Sequence, residues 1–215
     1  MNPLNISAKI QYIRSIYGHE TEDLRSIDAK IRLYDTPIHI APEEGKLLQL
    51  LIKLAGAKKI VEVGTLAGYS TLWIAGAIPS NGMIYTIERD EKRSILAADS
   101  FKGYNNIKLL VGEASDKLQE LASEGPFDAI FIDADKSGYV EYLDWAEKNI
   151  RSGGLIIADN TLLFGAVYSE KLPPQVKQST LSVMHEFNQR LADQTKYCSM
   201  IIPTEEGMSV AIKLF

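Results

Sequence analysis

From residue 58 onward, short apolar runs alternate with longer segments of helical period. The runs 60–63, 83–88, 107–112, 127–133 and 154–160, rich in Ile, Val, Leu and Phe, read as buried strands. Helices are predicted from residue 70 and over 91–101, 114–121, 139–150 and 175–192. Two closing runs, 197–202 and 208–215, are separated by Glu205-Glu206-Gly207 and predict an antiparallel pair. Residues 161–175 carry Gly165, Pro173 and Pro174 and read as a long loop, of a kind that is often functional. Alternating strands and helices imply a single α/β domain over residues 1–215, built on a doubly wound, mostly parallel sheet of seven strands.

Upstream lies an addition to that core. Residues 5–35 read as helical with a break at 17–20. One apolar stripe runs through Ile6, Ile10, Ile13 and Ile16-Tyr17, and a second through Leu24, Ile27, Ile31 and Tyr34. The core proper starts at residue 36 with an extended connector. Pro42 then opens a helix with Glu43 and Glu44 in its first turn, and the helix stops near Gly56.

Composition narrows the class. The chain has 215 residues, 46% hydrophobic and 24% charged, with a formal net charge of -5. An acidic balance argues against broad non-specific binding to nucleic acid. The single cysteine, Cys198, has no internal partner for a disulfide, which favours a reducing compartment. No apolar run approaches the roughly 20 residues that span a bilayer, and the first residues lack a signal-peptide pattern. A cytoplasmic protein is expected.

The first candidate site is the unit at 58–70. A strand, the glycines Gly64 and Gly68, and a helix make the opening of a nucleotide-binding domain. The spacing departs from the G-x-G-x-x-G pattern of dinucleotide enzymes. Glu62 would repel a pyrophosphate but suits a ligand bearing an ammonium and a sulfonium. Glu88 ends the second strand, where an acid accepts hydrogen bonds from ribose hydroxyls. Together they favour S-adenosylmethionine, which has a ribose and no phosphate. The competing readings are a glycine turn without a ligand and a polar strand end before a charged helix start.

Ligands in open α/β sheets bind beyond the carboxyl ends of the strands. Asp133, Asp159 and Asn160 should therefore converge there with Glu62 and Glu88. Three hard oxygen donors without a neighbouring His or Cys pair suit Mg²⁺ or Ca²⁺ better than Zn²⁺; Mn²⁺ is a further candidate. Alternatively, the acids merely cap strand ends. His19, His39 and His185 are scattered and read as surface or core residues, and no serine or cysteine triad is present.

The segment Phe131-Ile132-Asp133-Ala134-Asp135-Lys136-Ser137-Gly138-Tyr139 carries a resemblance. Taken with Val61-Glu62-Val63-Gly64-Thr65, Gly68-Tyr69-Ser70 and Asp159-Asn160, it is similar to the cation-dependent O-methyltransferases of the caffeoyl-CoA and catechol type. The likeness runs from about residue 36 to Phe215. It implies a class I methyltransferase, Rossmann-like fold with S-adenosylmethionine as methyl donor. Glu62, Gly64, Thr65, Ser70, Glu88, Ala114 and Asp133 match the family's cofactor-contacting positions, with Ile40 beside them. Asp133, Asp159 and Asn160 match its metal ligands, and Lys136 its general base. The implied substrate is a vicinal-dihydroxy small molecule, one of whose hydroxyls is methylated, and the implied assembly is a homodimer. Two other classes stand beside this reading. One is a tRNA-modifying enzyme acting on 5-hydroxyuridine, with Lys58, Lys59, Lys171 and Lys177 as a local basic patch; the other is a non-catalytic nucleotide-binding module. Ala67 departs from the family pattern, as does Glu205-Glu206-Gly207, which is expected to change a turn and not the site.

Overall fold

A computed structural model describes residues 7–34 and 38–215. Seven strands form one sheet: β1 (Lys59–Val63), β2 (Met83–Glu88), β3 (Ile107–Val111), β4 (Phe127–Ile132), β5 (Ile150–Ala158), β6 (Tyr197–Ile202) and β7 (Met208–Lys213). Their order is β3-β2-β1-β4-β5-β7-β6. The first five are parallel, and β7 pairs antiparallel with both β5 and β6. The chain winds outward from β1 to β3 and then crosses back to β4. That reversal opens a crevice at the carboxyl ends of β1 and β4.

Alternation along the strands divides the core in two. Val61 and Val63 point to one face, where Leu118 and Leu121 of α6 (Ala114–Leu121), Leu143 of α7 (Tyr139–Asn149) and Phe187 of α8 (Gln178–Leu191) cover them. Ile60 points to the other face. It meets a layer containing Ile27 of α2 (Glu22–Tyr34), Leu48 of α3 (Pro42–Leu54), Ile74 of α4 (Tyr69–Ala75) and Ala97 of α5 (Glu91–Ser100). The remaining helix, α1 (Ala8–Tyr17), packs against α3 and buries no residue of its own. Its apolar stripe is therefore only partly covered. Ile6, the side chain of Tyr34, and Thr36 and Pro37 of the connector lie outside the described residues. No helix among the described residues is long and apolar enough to cross a membrane.

From residue 36 onward, two boundaries differ from expectation by three residues or more. The fifth strand starts at Ile150 rather than at residue 154, because Ile150 pairs with Phe127 across an irregularity before the main register resumes at Ala129 and Leu155. Arg151-Ser152-Gly153-Gly154 has the composition of a turn and hides that pairing. The last helix starts at Gln178 rather than 175, since a turn from Pro173 to Val176 and an extended Lys177 precede it.

Candidate active site

The turn after β1 brings backbone against backbone. Gly64 has φ +101°, and a Cβ there would stand 2.0 Å from the Asp133 carbonyl oxygen. Gly68 has φ +95°, and its Cβ would meet the Phe101 ring at 2.4 Å. Both positions therefore require glycine, for conformation and for space. The N–H of Asp133 donates to the Val63 carbonyl and that of Asp159 to the Ile132 carbonyl, each at 2.9 Å, so the ladder continues one step beyond β1, β4 and β5.

Beyond these strand ends lies a cavity of about 310 Å³. Of the residues expected there, Ile40, Gly64, Thr65, Ser70 and Glu88 line it, as do Ala114, Asp133, Lys136 and Asn160. Glu62 and Asp159 are not on the wall but behind it, both buried.

The strand pleat accounts for Glu62. Like Ile60, it points to the α3–α4 face, where the Thr71 hydroxyl donates to its Oε2 at 2.5 Å and the Thr86 hydroxyl at 2.6 Å. Thr86 has spent its proton on Glu62, so the Thr65 hydroxyl donates to Thr86, at 2.5 Å. Burial pushes the Glu62 carboxyl up to about 7, against the hydroxyls that favour its charge. Its Oε1 has no hydrogen-bond partner among the described residues. Glu88 does reach the wall. Its Oε2 accepts from the Leu66 N–H at 2.8 Å and its Oε1 from the Asp90 N–H at 2.9 Å. Each oxygen keeps lone-pair capacity for a further donor.

At the other end, Lys136 Nζ reaches three oxygens: Tyr139 Oη at 2.5 Å, Asp133 Oδ1 at 3.1 Å and the Asp159 carbonyl at 3.4 Å. Tyr139, fully buried, donates its own proton to the Asp159 carbonyl at 2.8 Å, which leaves its lone pairs for the lysine. Asp159 accepts from Asn160 Nδ2 at 3.1 Å through Oδ2, while Oδ1 is buried and has no partner among the described residues. Burial first, then the charges of Asp133 and Glu44, push the Asp159 carboxyl well above the usual carboxylate range. Asn160 is held in the left-handed region at φ 57°, which turns its side chain back beside Asp159. No cluster of three or more His, Cys, Asp or Glu side chains with metal-binding geometry exists among the described residues. The candidate set is instead two carboxylates and one amide, all hard donors, with one buried oxygen unsatisfied. That chemistry fits a hard divalent cation.

A family profile described as O-methyltransferase matches residues 14–214. The chain belongs to this family. It is 38% identical over 212 residues to a catechol O-methyltransferase of Niastella koreensis, covering 94% of each chain. It is 30% identical to a caffeoyl-CoA O-methyltransferase of Populus kitakamiensis, covering 98% of this chain and 95% of that one. Among solved structures, the O-methyltransferase TomG of Streptomyces achromogenes, in complex with SAM, superposes with a TM-score of 0.88 at 30% identity and full coverage of both chains. An O-methyltransferase of Bacillus cereus in complex with SAH gives 0.84 at 30% identity, covering 96% of this chain and 98% of that one. The protein is thus an S-adenosylmethionine-dependent O-methyltransferase with the class I fold.

Several wall residues of this O-methyltransferase escaped the reading of its sequence. His39, Tyr69, Arg89 and Tyr142 also line the cavity. His39 had been read as a surface or core residue. Its Nε2 lies 3.0 Å from Asp28 Oδ1, and its ring meets that of Tyr69 edge-on at 4.6 Å. The only signal in the sequence was its place directly before Ile40, in a connector whose path the local pattern does not define.

Proposed function

We propose that this O-methyltransferase methylates one hydroxyl of a vicinal-dihydroxy aromatic such as a catechol, with a divalent cation, Mg²⁺ first among candidates, held by Asp133, Asp159 and Asn160. The observation that carries the reading is Asp159, a buried carboxylate with an unpartnered Oδ1 beside two further oxygen donors. The names of the relatives, catechol and caffeoyl-CoA O-methyltransferases, point the same way.

In this reading Glu88 takes the ribose hydroxyls of S-adenosylmethionine, and Ala114 lies beside the adenine. Gly64, Thr65, Ser70 and Ile40 surround the methionine portion, with Asp133 at its far end. Glu62 acts from behind, holding Thr71, Thr86 and, through Thr86, Thr65 around the turn. A cation in the oxygen set would lower the pKa of an acceptor hydroxyl, so that an oxyanion forms near neutral pH. Lys136, in its neutral amine form, would take the released proton at Nζ, and Asp133, Tyr139 and the Asp159 carbonyl would stabilise the resulting ammonium. The rigid strand ends keep donor and acceptor in line, the form of catalysis in which positioning contributes most.

The test is labelled methyl transfer to a panel of catechols and to tRNA carrying hydroxylated uridine, with and without EDTA. Catechol turnover should vanish in EDTA, return with Mg²⁺, and be absent in Asp159→Ala at ordinary Mg²⁺ concentrations. Calorimetric affinity for S-adenosylhomocysteine should persist throughout. Full turnover in EDTA would remove the cation, and turnover of tRNA alone would move the acceptor to a nucleoside. We further propose a homodimer, argued below, and a cytoplasmic location, which rests on the lone free Cys198.

A further inference from the structure

Lys136 is followed by Ser137, Gly138 and Tyr139. A 3₁₀ turn, Lys136–Gly138, leads directly into α7 at Tyr139, and side chains three residues apart eclipse in such a turn. Lys136 and Tyr139 therefore stand one above the other, with Nζ 4.8 Å from the centre of the tyrosine ring. The ring is fixed from behind by Phe187 of α8, edge-on at 5.2 Å. Lys136 lines the cavity, whereas Tyr139 is fully buried and does not. Whatever Tyr139 contributes to the reaction must pass through a neighbour.

Its hydroxyl lies between the main chain and the lysine. The Asp159 carbonyl stands 2.8 Å away and the Ile132 carbonyl 3.3 Å, with Lys136 Nζ at 2.5 Å. A carbonyl only accepts, so the phenolic hydrogen goes to one of those two, and toward Lys136 the oxygen presents lone pairs alone. The main chain thus fixes the polarity of the contact: the lysine must give the hydrogen. A neutral amine has two hydrogens and one lone pair. Tyr139 Oη and Asp133 Oδ1 are its nearest oxygens and take the two hydrogens, which leaves the lone pair uncommitted. A tyrosine with a free hydrogen would instead donate it to that lone pair and quench the amine as a base.

We propose that Tyr139 is a positioning residue for Lys136: with its own hydrogen committed to the strand ends, its hydroxyl accepts one N–H of the amine and keeps the lone pair open to the hydroxyl of the methyl acceptor. The inference rests on the reading of Lys136 as the base that takes that proton at Nζ. It also ties the base to the candidate metal ligands, since the same hydroxyl holds the carbonyl of Asp159.

The test is a double-mutant cycle in the methylation of catechols with Mg²⁺, read as kcat and KM, together with crystal structures. Tyr139→Phe keeps the ring against Phe187 and under Lys136 and removes only the hydroxyl. It should lower kcat about tenfold, the size of one hydrogen bond. KM for the catechol and calorimetric affinity for S-adenosylhomocysteine should stay within about twofold. In a Lys136→Ala background the same substitution should cost less than about twofold, because the group it positions is gone. The crystal structure of Tyr139→Phe should show Lys136 Nζ displaced and the main chain at Asp133 and Asp159 in place. Phe187→Leu, outside the cavity wall, loosens the tyrosine ring from behind. It should give a smaller loss that likewise vanishes without Lys136, and it carries the cycle if Tyr139→Phe does not fold. Equal losses with and without Lys136 would reduce Tyr139 to packing and overturn the proposal, as would an unchanged kcat. A Lys136→Ala variant as active as the wild type, or a wild type that methylates no catechol, would instead overturn the reading beneath, and this inference with it.

Discussion

Glu62 and Glu88 end neighbouring strands, and both were expected to meet the cofactor, yet only Glu88 reaches the cavity wall. The difference is one of pleat. Glu62 shares a face with Ile60, so its carboxylate is folded into the α3–α4 layer, where threonine hydroxyls hold its Oε2. This has a measurable consequence. The carboxyl is raised from 4.5 to about 7 in the folded protein, chiefly by burial. Between those values the folded state holds a proton that the unfolded state has lost, so stability falls as pH rises through that window. Complete burial leaves little solvent screening. Glu62→Gln removes the ionisation, and comparison with the wild type cancels the other raised carboxyls. Denaturant unfolding at pH 5 and pH 8 should show the wild type losing roughly 2–3 kcal/mol more than the variant over this interval. Parallel losses in the two proteins would mean that Glu62 is already ionised at pH 5. The sequence announced an acid at this strand end; it did not announce which way the acid faced, because a single residue near the end of a short strand fits either face.

Among the elements, the strands were the most legible, since β-branched runs closing on acids are hard to read otherwise. Two of the seven, β2 and β6, kept their expected limits and the rest shifted at one end or both, most of all β5, whose first half is written in turn residues. What the pattern concealed was coupling between elements. Glu205-Glu206-Gly207 was expected to affect only the hairpin between β6 and β7. Instead the Glu206 carboxylate accepts from the Phe164 N–H at 2.8 Å, and the Glu206 and Gly207 carbonyls accept from the Leu162 and Thr161 N–H groups, each at 2.9 Å. The held loop follows directly on Asn160. It includes Leu163 at φ 50° and Phe164 at φ 54°, left-handed conformations that persist only when surrounding contacts impose them. The hairpin is thus a clamp on the stretch that carries two of the three candidate metal ligands. Glu206→Ala should release it locally, at a cost of about 1 kcal/mol. Amide hydrogen exchange over 162–165 should then speed up about fivefold, with affinity for S-adenosylhomocysteine unchanged. Unaltered exchange at these amides would show that the backbone bonds alone hold the loop.

At the scale of the whole molecule, a net negative charge goes with a group of exposed apolar side chains on α1 and α3. Its net charge of -5 argued against non-specific nucleic-acid binding, and composition alone could go no further. The N-terminal helices were legible as amphipathic, but the pattern did not say which stripe the chain itself would cover. It covers that of α2, where Leu24, Ile27 and Ile31 are buried, and leaves that of α1 half open. Tyr17 of α1 is 59% exposed and Leu54 of the adjoining α3 is 76% exposed, with Tyr12, Ile16 and Leu50 also exposed on the same two helices. Scattered apolar residues need no explanation, whereas a group of large ones on two packed helices marks a surface for association. A second copy of the chain is the occupant we propose, because a twofold contact lets the same α1–α3 patch cover itself. Light scattering at micromolar concentration should then give twice the 23.9 kDa chain mass. Placing charge in the contact with Tyr17→Glu and Leu54→Glu should return the mass to that of one chain while S-adenosylhomocysteine still binds, since neither residue lines the cavity. A single-chain mass for the wild type would refute the dimer, and a dimer indifferent to both substitutions would move the contact elsewhere, with the exposed Met200 of β6 the next surface to probe.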